Sequence, residues 1–307
     1  MIQLDFDAVH RLARVGDLVE PLRRVFRSQA RSPRRAHYDL AGTHAPHSLL
    51  LMPSWRAGGD IGVKIVTVFE DNADRQLPSV NAAYVLICGQ TGAPRACIDG
   101  RALTLLRTAA VSALAADLLA PAAPERLLMV GTGALCRYLI EGHLAVRKYQ
   151  SVLIWGRNRG KAAAVAAELS ARGWPVSAAE DLDTAAQAAD VISCATLAQE
   201  PLIRGAVLKP VCHLDLVGSF TPGMREADDD CLRGAFVVVD TLAALEESGE
   251  LIGPLARKTI DAAGICLLDD VAAREAKPRP SKTVFKSVGA AHADLAAAEY
   301  VYRRTPV

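Results

Sequence analysis

Several features that mark particular classes of protein are missing from the 307-residue sequence. The net charge is only +1, so the overall charge gives no reason to expect a nucleic acid or a membrane as partner. No apolar run approaches the roughly 20 residues of a membrane span. The seven cysteines form no C-x-x-C pair, and several lie inside apolar runs. We therefore expect a cytoplasmic protein with free thiols, not a disulfide-bonded or zinc protein.

Spacings that bind metals are missing as well. The seven histidines and the acidic residues form no H-x-x-x-H or Asp/Glu–His pattern, so we expect no metal site. The acidic run Asp228-Asp229-Asp230 is interpreted as a helix start or a solvated face. Cys194 has no evident His or Asp partner, which favours a buried core thiol over a nucleophile.

What the sequence does contain is the pattern of a two-domain α/β protein. A content of 51% hydrophobic and 22% charged residues is typical of a packed globular chain. From residue 126 onward, short apolar runs alternate with helical patterns, which predicts a doubly wound parallel sheet covered on both faces. The predicted strands are 127–130, 152–155, 191–195, 213–217, 236–239 and 265–268. The predicted helices are 134–147, 159–171, about 182–188 and about 241–248.

The part before residue 126 has a different pattern, mostly short strands after a first helix. It predicts a helix over 8–30, strands over 47–52, 61–69, 80–88 and 95–98, and an alanine-rich helix over 102–120. Pro121-Ala-Ala-Pro124 ends that helix and marks a domain boundary. The tail, 290–304, is predicted to be a helix that returns to the first domain.

The chain is organised around the segment 126–155. The strand candidate 127–130 runs directly into a glycine turn, and a helix and a second strand follow, which is the βαβ pattern of dinucleotide-binding folds. Gly131 allows the sharp turn, and Gly133 lets a pyrophosphate approach the backbone at a helix N-terminus. Cys136 replaces the third glycine of the motif, where a small residue suffices. The predicted phosphate-binding residues are Gly131, Thr132, Gly133, Ala134 and Leu135; the alternative is a plain glycine turn.

The end of the second strand has no carboxylate to bind a ribose 2′-hydroxyl, as NAD enzymes usually have. Arg157, Asn158 and Arg159 follow it instead, and guanidinium groups suit a 2′-phosphate. We therefore favour NADP(H) over NAD(H), the alternative being that these arginines only form a solvated loop. Further cofactor contacts are expected at the ends of later strands and near the C-terminus: Ala195, Thr196, Val217, Gly218, Ser219, Val288 and Gly289.

Several short motifs together resemble the ornithine cyclodeaminase/mu-crystallin family over nearly the whole chain. They are Leu51-Met-Pro53, Gly62-Val-Lys64, Leu77-Pro78, Thr91-Gly-Ala-Pro94, Asp99-Gly100, Leu103-Thr-Leu-Leu-Arg107-Thr-Ala-Ala, Gly131-Thr-Gly133-Ala134 and Phe285-Lys-Ser-Val-Gly289. The resemblance implies a Rossmann nicotinamide-binding domain, 121–289, inserted into an α+β substrate-binding and dimerisation domain, 1–120 plus 290–307. It also implies a homodimer whose substrates are small imino, amino or keto acids.

The resemblance assigns the substrate-binding residues. Arg107 matches an arginine that holds the substrate α-carboxylate with two hydrogen bonds, and Lys64 matches a lysine on the same side of the substrate. Arg35 matches a second carboxylate-binding arginine, with Arg34 adjacent. Ser79 lies where a hydroxyl residue helps to bind substrate. The alternatives are that Arg107 is a surface arginine, that Lys64 is an edge-strand lysine pointing at water, and that Ser79 is a plain hairpin serine.

The segment Leu216-Val-Gly218-Ser219-Phe220-Thr-Pro222 departs from the cyclodeaminase and alanine dehydrogenase members, which have Asp where Ser219 stands. A serine without a partner is no general base at neutral pH, which argues against cyclodeamination. The ketimine-reductase members have Ser in a similar place, and the Ser-Phe-Thr-Pro run resembles bacterial reductases acting on Δ1-pyrroline-2-carboxylate. The resemblance therefore implies reduction of a cyclic ketimine carboxylate to L-proline or L-pipecolate. In that reaction Lys64 and Arg107 hold the carboxylate and Ser219 orients the ring nitrogen or a water. The alternatives are an NAD-dependent ornithine cyclodeaminase or alanine dehydrogenase, and a mu-crystallin-like binding protein.

Overall fold

The computed structural model describes residues 1–28, 30–40, 47–274 and 282–306. The chain divides into two compact units, Met1–Thr108 with Ala290–Val307, and Ala109–Gly289. The strands are β1 Ile2–Leu4, β2 Ala36–Asp39, β3 His47–Trp55, β4 Ile61–Phe69, β5 Val80–Ile87, β6 Pro94–Asp99, β7 Arg126–Val130, β8 Ser151–Trp155, β9 Val176–Ala178, β10 Val191–Cys194, β11 Cys212–Leu216, β12 Phe236–Val239, β13 Cys266–Leu267 and β14 Lys282–Lys286. The α-helices are α1 Phe6–Leu12, α2 Val15–Phe26, α3 Gly100–Leu119, α4 Leu135–Val146, α5 Arg159–Ser170, α6 Leu182–Ala188, α7 Asp229–Leu232, α8 Ala244–Glu247, α9 Gly249–Ala256, α10 Leu268–Ala273 and α11 Ala291–Tyr302.

The first unit is built on a six-stranded sheet in the order β1-β6-β5-β4-β3-β2. The pair β1–β6 is parallel and the other pairs are antiparallel. Side chains alternate along each strand, so Lys64 of β4 and its cross-strand partner Tyr84 of β5 lie on the buried face. Helix α11 contacts β3, β4 and β5, and it also packs on α2. The alternate residues, among them Val63, Ile65 and Val85, are only half-buried.

The predicted first helix, 8–30, is two helices in the structure. Its residue Gln29 lies outside the described residues. The helix breaks at Ala13 and Arg14 because the Asp17 carboxylate accepts a hydrogen bond from the Arg14 backbone N–H at 2.9 Å and starts a new helix. Strands β1 and β2 were not predicted, since one has three residues and the other is a largely exposed polar segment.

The second unit contains an eight-stranded sheet in the order β13-β12-β14-β11-β10-β7-β8-β9, and all its strand pairs are parallel. The predicted doubly wound fold is confirmed. The chain order reverses between β7 and β10, and open parallel sheets bind ligands outside the carboxyl ends of strands at such a point. Strand β14 was missed; it pairs with β11 and β12 inside the sheet.

The boundary between the units falls within α3, between Thr108 and Ala109, and not after residue 120 as expected. The second half of α3 is tied to the second unit, where the Ser112 hydroxyl donates to the buried Asp215 carboxylate at 2.9 Å. Among the described residues, α3 is also long and apolar enough to cross a membrane, contrary to the expectation that no such segment exists. In the structure, 83% of the most apolar stretch of α3 is buried inside the protein. The core helix of a soluble protein can be as long and as apolar as a membrane span, so this helix is weak evidence for one.

Candidate active site

The glycine turn after β7 has the shape that a bound pyrophosphate needs. Gly131 has a φ of 114°, and a Cβ there would lie 2.5 Å from the carbonyl oxygen of Ala195. At Gly133 a Cβ would meet nothing within 4 Å, so the space above this backbone is open. Helix α4 begins two residues later, and Ala134 before it has no side-chain oxygen to accept from the first N–H groups. The turn therefore fits a phosphate-bearing cofactor.

Cys136 stands at the third glycine position of the motif and is completely buried. Burial raises the pKa of its thiol to about 11. It acts as a small apolar residue between helix and sheet, as the sequence predicted.

A groove of about 780 Å³ adjoins this turn at the carboxyl edge of the parallel sheet. Seven of the predicted cofactor-binding residues line it: Gly131, Thr132, Gly133, Arg157, Asn158, Ala195 and Thr196. The lining also includes residues that were not predicted: Trp155, Gly156, Lys161, Leu197, Ala198, Gln199, Glu200 and Leu202. Eight of the predicted cofactor residues are not part of this lining: Ala134, Leu135, Arg159, Val217, Gly218, Ser219, Val288 and Gly289.

The cations beside the groove are Arg157 and Lys161, not Arg157 and Arg159 as predicted. Helix α5 begins at Arg159, and its N-cap residue Asn158 accepts from the Lys161 backbone N–H at 2.9 Å. Residues two apart on a helix point about 200° apart, so Arg159 and Lys161 face nearly opposite directions. The start of α5 thus decides which cation lies at the groove.

The loops after β10 and β11 are tied together by the buried carboxylate of Glu226. Its Oε1 accepts from the Thr196 backbone N–H at 2.7 Å and from the Thr196 hydroxyl at 3.0 Å. Its Oε2 accepts from the backbone N–H groups of Gly218, at 2.8 Å, and Ser219, at 3.3 Å. Burial raises the pKa of Glu226, and the charge of Glu250 adds to the rise while that of Lys286 opposes it.

Behind these loops lies a fully buried polar group, the Lys286 cluster, made of Ser219, Glu226, Glu250 and Lys286. The Lys286 ammonium donates to the Ser219 hydroxyl at 2.7 Å and to the carbonyl oxygen of Leu216 at 3.0 Å. The Ser219 hydroxyl in turn donates to Glu250, whose other oxygen accepts from the Glu226 backbone N–H. The side chain of Ser219 is thus occupied inside the unit. This corrects the prediction that it orients a substrate atom.

The segment Ser287–Gly289 is held by another buried acid, Asp240, which follows β12. Asp240 accepts from the Ser287 hydroxyl at 2.7 Å and from the backbone N–H groups of Val288, at 3.1 Å, and Gly289, at 2.7 Å. The predicted cofactor contacts Val288 and Gly289 therefore donate their N–H groups within the protein.

In the first unit the structure brings Lys64 and Arg107 together around an acid that the sequence did not reveal, Asp294 of α11. The three residues form the Lys64 cluster. Arg107 Nε donates to Asp294 Oδ1 at 2.8 Å. Lys64 Nζ lies 2.8 Å from Oδ2, an ion pair that falls outside hydrogen-bonding angles. Lys64 is 3% exposed, Arg107 5% and Asp294 0%.

The charges of the Lys64 cluster act on one another. Burial lowers the pKa of Lys64 from 10.5 to about 8, against the charge of Asp294, and the charges of Arg107 and Arg35 lower it further. Burial would raise the pKa of Asp294, but the charges of Arg107 and Lys64 outweigh it and hold that pKa below its usual value. The cluster has two cations and one carboxylate.

Of the two other predicted substrate-binding residues, Arg35 lies near the Lys64 cluster and Ser79 does not. Arg35 is half-buried and its charge reaches Lys64, whereas Arg34 is exposed, so Arg35 is the better match to the predicted second arginine. Ser79 precedes β5, whose residue Tyr84 pairs with Lys64. Four strand residues, Val80 to Ala83, separate Ser79 from Tyr84, so Ser79 lies more than about 13 Å along the strand from that pair and outside the cluster.

Other sequence predictions concern residues that take no part in either cluster. Within the described ranges, no group of three or more His, Cys, Asp or Glu side chains could hold a metal ion. Asp228 caps α7 by accepting from the Cys231 N–H, as the interpretation of the acidic run predicted. Cys194 is fully buried, and burial raises its pKa well above the usual value, as expected for a core thiol.

Comparison with known proteins agrees with this fold. A model of the ornithine cyclodeaminase/mu-crystallin family matches residues 2–306. Protein SAR DEFICIENT 4 of Arabidopsis thaliana is 40% identical over 283 residues, 88% of this chain and 86% of that protein. The Delta(1)-pyrroline-2-carboxylate reductase of Colwellia psychrerythraea is 36% identical over 308 residues, 97% of each. The solved structure of Thermococcus litoralis Delta(1)-pyrroline-2-carboxylate reductase in complex with NADH and L-proline has a TM-score of 0.91 at 28% identity, covering 99% of this chain and 97% of that one.

Proposed function

The chain belongs to the ornithine cyclodeaminase/mu-crystallin family, and on that premise we propose that it reduces a cyclic ketimine carboxylate with NADPH. The substrate is Δ1-pyrroline-2-carboxylate, Δ1-piperideine-2-carboxylate or both, and the products are L-proline and L-pipecolate. The chain is an oxidoreductase acting on carbon–nitrogen double bonds, as are the named reductases among its relatives. The observation that carries the proposal is the Lys64 cluster, whose cations exceed its carboxylates by one.

The substrate carboxylate supplies the charge that this cluster lacks. Arg107 uses Nε for Asp294, so its terminal nitrogens remain for a bidentate contact with a carboxylate. Lys64 adds a second cation on the same buried face of the sheet. These contacts would hold the substrate's imine carboxylate in a fixed orientation. Orientation of the reacting groups accounts for much of the rate in a reaction of this kind.

The second unit fits a nicotinamide dinucleotide, which when bound supplies the hydride. The open backbone at Gly133 and the start of α4 would hold its pyrophosphate. Thr196 and Gly218, fixed by Glu226, would hold the loops beside the nicotinamide. A ketimine that enters as its protonated iminium requires no strong acid of the protein. Ser219 acts on the loop and not on the substrate.

The preference for NADPH rests on the groove after β8. Arg157 and Lys161 line it, and the acid that would bind a ribose 2′-hydroxyl is missing from that strand end. The Thermococcus litoralis relative was solved with NADH, so the proposed preference for NADPH would set this chain apart from that relative.

We further propose a cytoplasmic homodimer. The seven cysteines are all free, which suits a reducing compartment. The face of the first sheet that holds Val63, Ile65 and Val85 is apolar and half-exposed, which suits an interface with a second copy. Light scattering on the purified protein measures the mass that tests this assembly.

The function is tested by NADPH oxidation with each cyclic ketimine, followed at 340 nm, with NADH and free amino acids in parallel. We expect turnover of at least one ketimine and a higher kcat/KM with NADPH. Ammonia release from ornithine without ketimine turnover would favour the cyclodeaminase alternative. Tight NADPH binding without turnover of any member of the panel would favour a binding protein.

A further inference from the structure

A buried acid that no sequence motif indicated holds the two substrate-binding cations. Asp294 lies in the first turn of α11, and its side chain is fully buried. One oxygen accepts from Arg107 Nε at 2.8 Å, and the other lies 2.8 Å from Lys64 Nζ. We infer that Asp294 is a positioning residue of the reaction: it fixes Lys64 and Arg107 as one carboxylate-binding pair with a single uncompensated positive charge. This inference rests on the proposed function.

The positions of the three residues in the fold make the arrangement rigid. Lys64 lies on β4, Arg107 on α3 and Asp294 on α11, which contacts β3, β4 and β5. The N-terminal turn of a helix stabilises a carboxylate through its dipole, so Asp294 is favoured in its charged form. Charged side chains on three separate elements are thus joined through one carboxylate.

Without Asp294, Lys64 and Arg107 would lie close together as two buried cations with no counter-charge. Two like charges buried side by side destabilise each other, and the group that can lose its charge is lysine. Asp294 keeps Lys64 protonated, so both cations remain available to a ligand. With Asp294 present, one ligand carboxylate neutralises the cluster.

Three charged residues and one tyrosine surround Lys64, while its cross-strand partner on β3 is the uncharged Met52. Arg107 faces it from α3, Asp294 from α11 and Arg35 from the segment before β2, and Tyr84 is its cross-strand partner on β5. Burial raises the pKa of Tyr84 well above its usual value, and the charge of Asp294 adds to this, so Tyr84 stays neutral. Asp294 is the one carboxylate that contacts Lys64 among the described residues.

The test is Asp294→Asn, which keeps the size of the side chain and removes its charge. In the wild type, kcat/KM for the ketimine falls as pH rises through the loss of the Lys64 proton. In the variant this basic limb moves to lower pH by at least about one unit, because an opposing charge commonly shifts a pKa by that much. We also expect KM to rise at least about 10-fold, with a smaller change in kcat.

The matched control is Glu299→Gln in the same helix. Glu299 is 5% exposed and pairs with Arg56 at 2.5 Å, so its loss removes a comparable ion pair away from Lys64. This control is expected to lower the melting temperature without moving the pH profile. A wild-type pH profile in Asp294→Asn, with only a lower melting temperature, would show that Asp294 is merely structural and overturn the inference.

A second variant covers the case in which Asp294→Asn does not fold. Adding Lys64→Met removes one of the two uncompensated cations, so the double variant is expected to melt at higher temperature than Asp294→Asn alone. If the double variant is no more stable than the single one, the cations are not what Asp294 compensates, and the inference is wrong.

Binding of pyrrole-2-carboxylate, an unreactive planar carboxylate, separates this inference from the proposed function. Calorimetry with the full chain and NADPH is expected to show at least about 10-fold weaker binding to Asp294→Asn. If the wild type neither binds the carboxylate nor reduces ketimines, the proposed function fails. If the wild type does both and the variant matches it across pH, only the role of Asp294 fails.

Discussion

The Lys286 cluster and the Lys64 cluster differ in how their surplus charge is met. In the Lys286 cluster one ammonium faces two carboxylates, and Glu226 and Glu250 accept several backbone N–H groups. In the Lys64 cluster two cations face one carboxylate, and the cations retain slight exposure. In the first cluster, backbone N–H groups meet the surplus negative charge, so its hydrogen bonding is complete within the protein and it stabilises loops. The second lacks one negative charge and is suited to bind one.

Loss of a cation from the incomplete cluster should have the largest effect. Arg107→Met is expected to lower kcat/KM for the ketimine by about 1,000-fold, since losing one partner of a buried charged contact costs about 4 kcal/mol. NADPH affinity, measured by fluorescence titration, should not change. The control is Arg101→Met, an exposed arginine earlier in α3. Activity within tenfold of wild type in Arg107→Met would place the carboxylate elsewhere.

Loss of the cation from the complete cluster should instead appear in stability. Lys286→Met leaves Glu250 and Glu226 buried without their counter-charge and is expected to cost about 3 kcal/mol in the free energy of unfolding. Urea denaturation measures this quantity. Lys282→Met on the same strand removes a less buried lysine, whose ammonium donates to the carbonyl oxygen of Asp230, and should cost under about 1 kcal/mol. Equal losses for the two variants would remove the distinction between the clusters.

These residues also show which parts of the site could be predicted from the sequence alone. Lys64 was assigned by the family resemblance, and a lone charge in an apolar strand such as this one is costly unless it has a partner. Lys286 and Asp294 had the same signal, but their partners lie 67 and 187 residues away, and no local pattern pairs residues at such separations. The glycine turn was predicted because its cause is local. The insertion of β14 between β11 and β12 was not, because strand order is a property of tertiary packing.

The cofactor groove offers a smaller test, since its lining includes Arg157 and Lys161 but not the predicted Arg159. Lys161→Ala is expected to lower the ratio of kcat/KM with NADPH to that with NADH by about 10-fold or more, as loss of a phosphate contact would. Arg159→Ala should leave the ratio within about twofold, because Arg159 faces away from the groove lining. A larger effect of Arg159→Ala would restore the pair that the sequence suggested.

The smallest effect is expected at Ser219. Its hydroxyl is fully buried between Lys286 and Glu250, so Ser219→Ala removes hydrogen bonds within the complete cluster and no contact with substrate. We expect kcat/KM to fall by less than about 10-fold, with a loss of stability of about 1–3 kcal/mol. Steady-state kinetics and urea denaturation on one preparation measure both. A fall in kcat of more than 100-fold with unchanged stability would return Ser219 to the reaction itself.

The most direct measurement is a crystal structure with NADPH and pyrrole-2-carboxylate. Our account predicts the ligand carboxylate within hydrogen-bonding distance of both Arg107 and Lys64, with Asp294 still holding Arg107 Nε and Ser219 still beside Lys286. A ligand carboxylate bound away from Arg107, with Asp294 remaining the sole partner of the two cations, would contradict it.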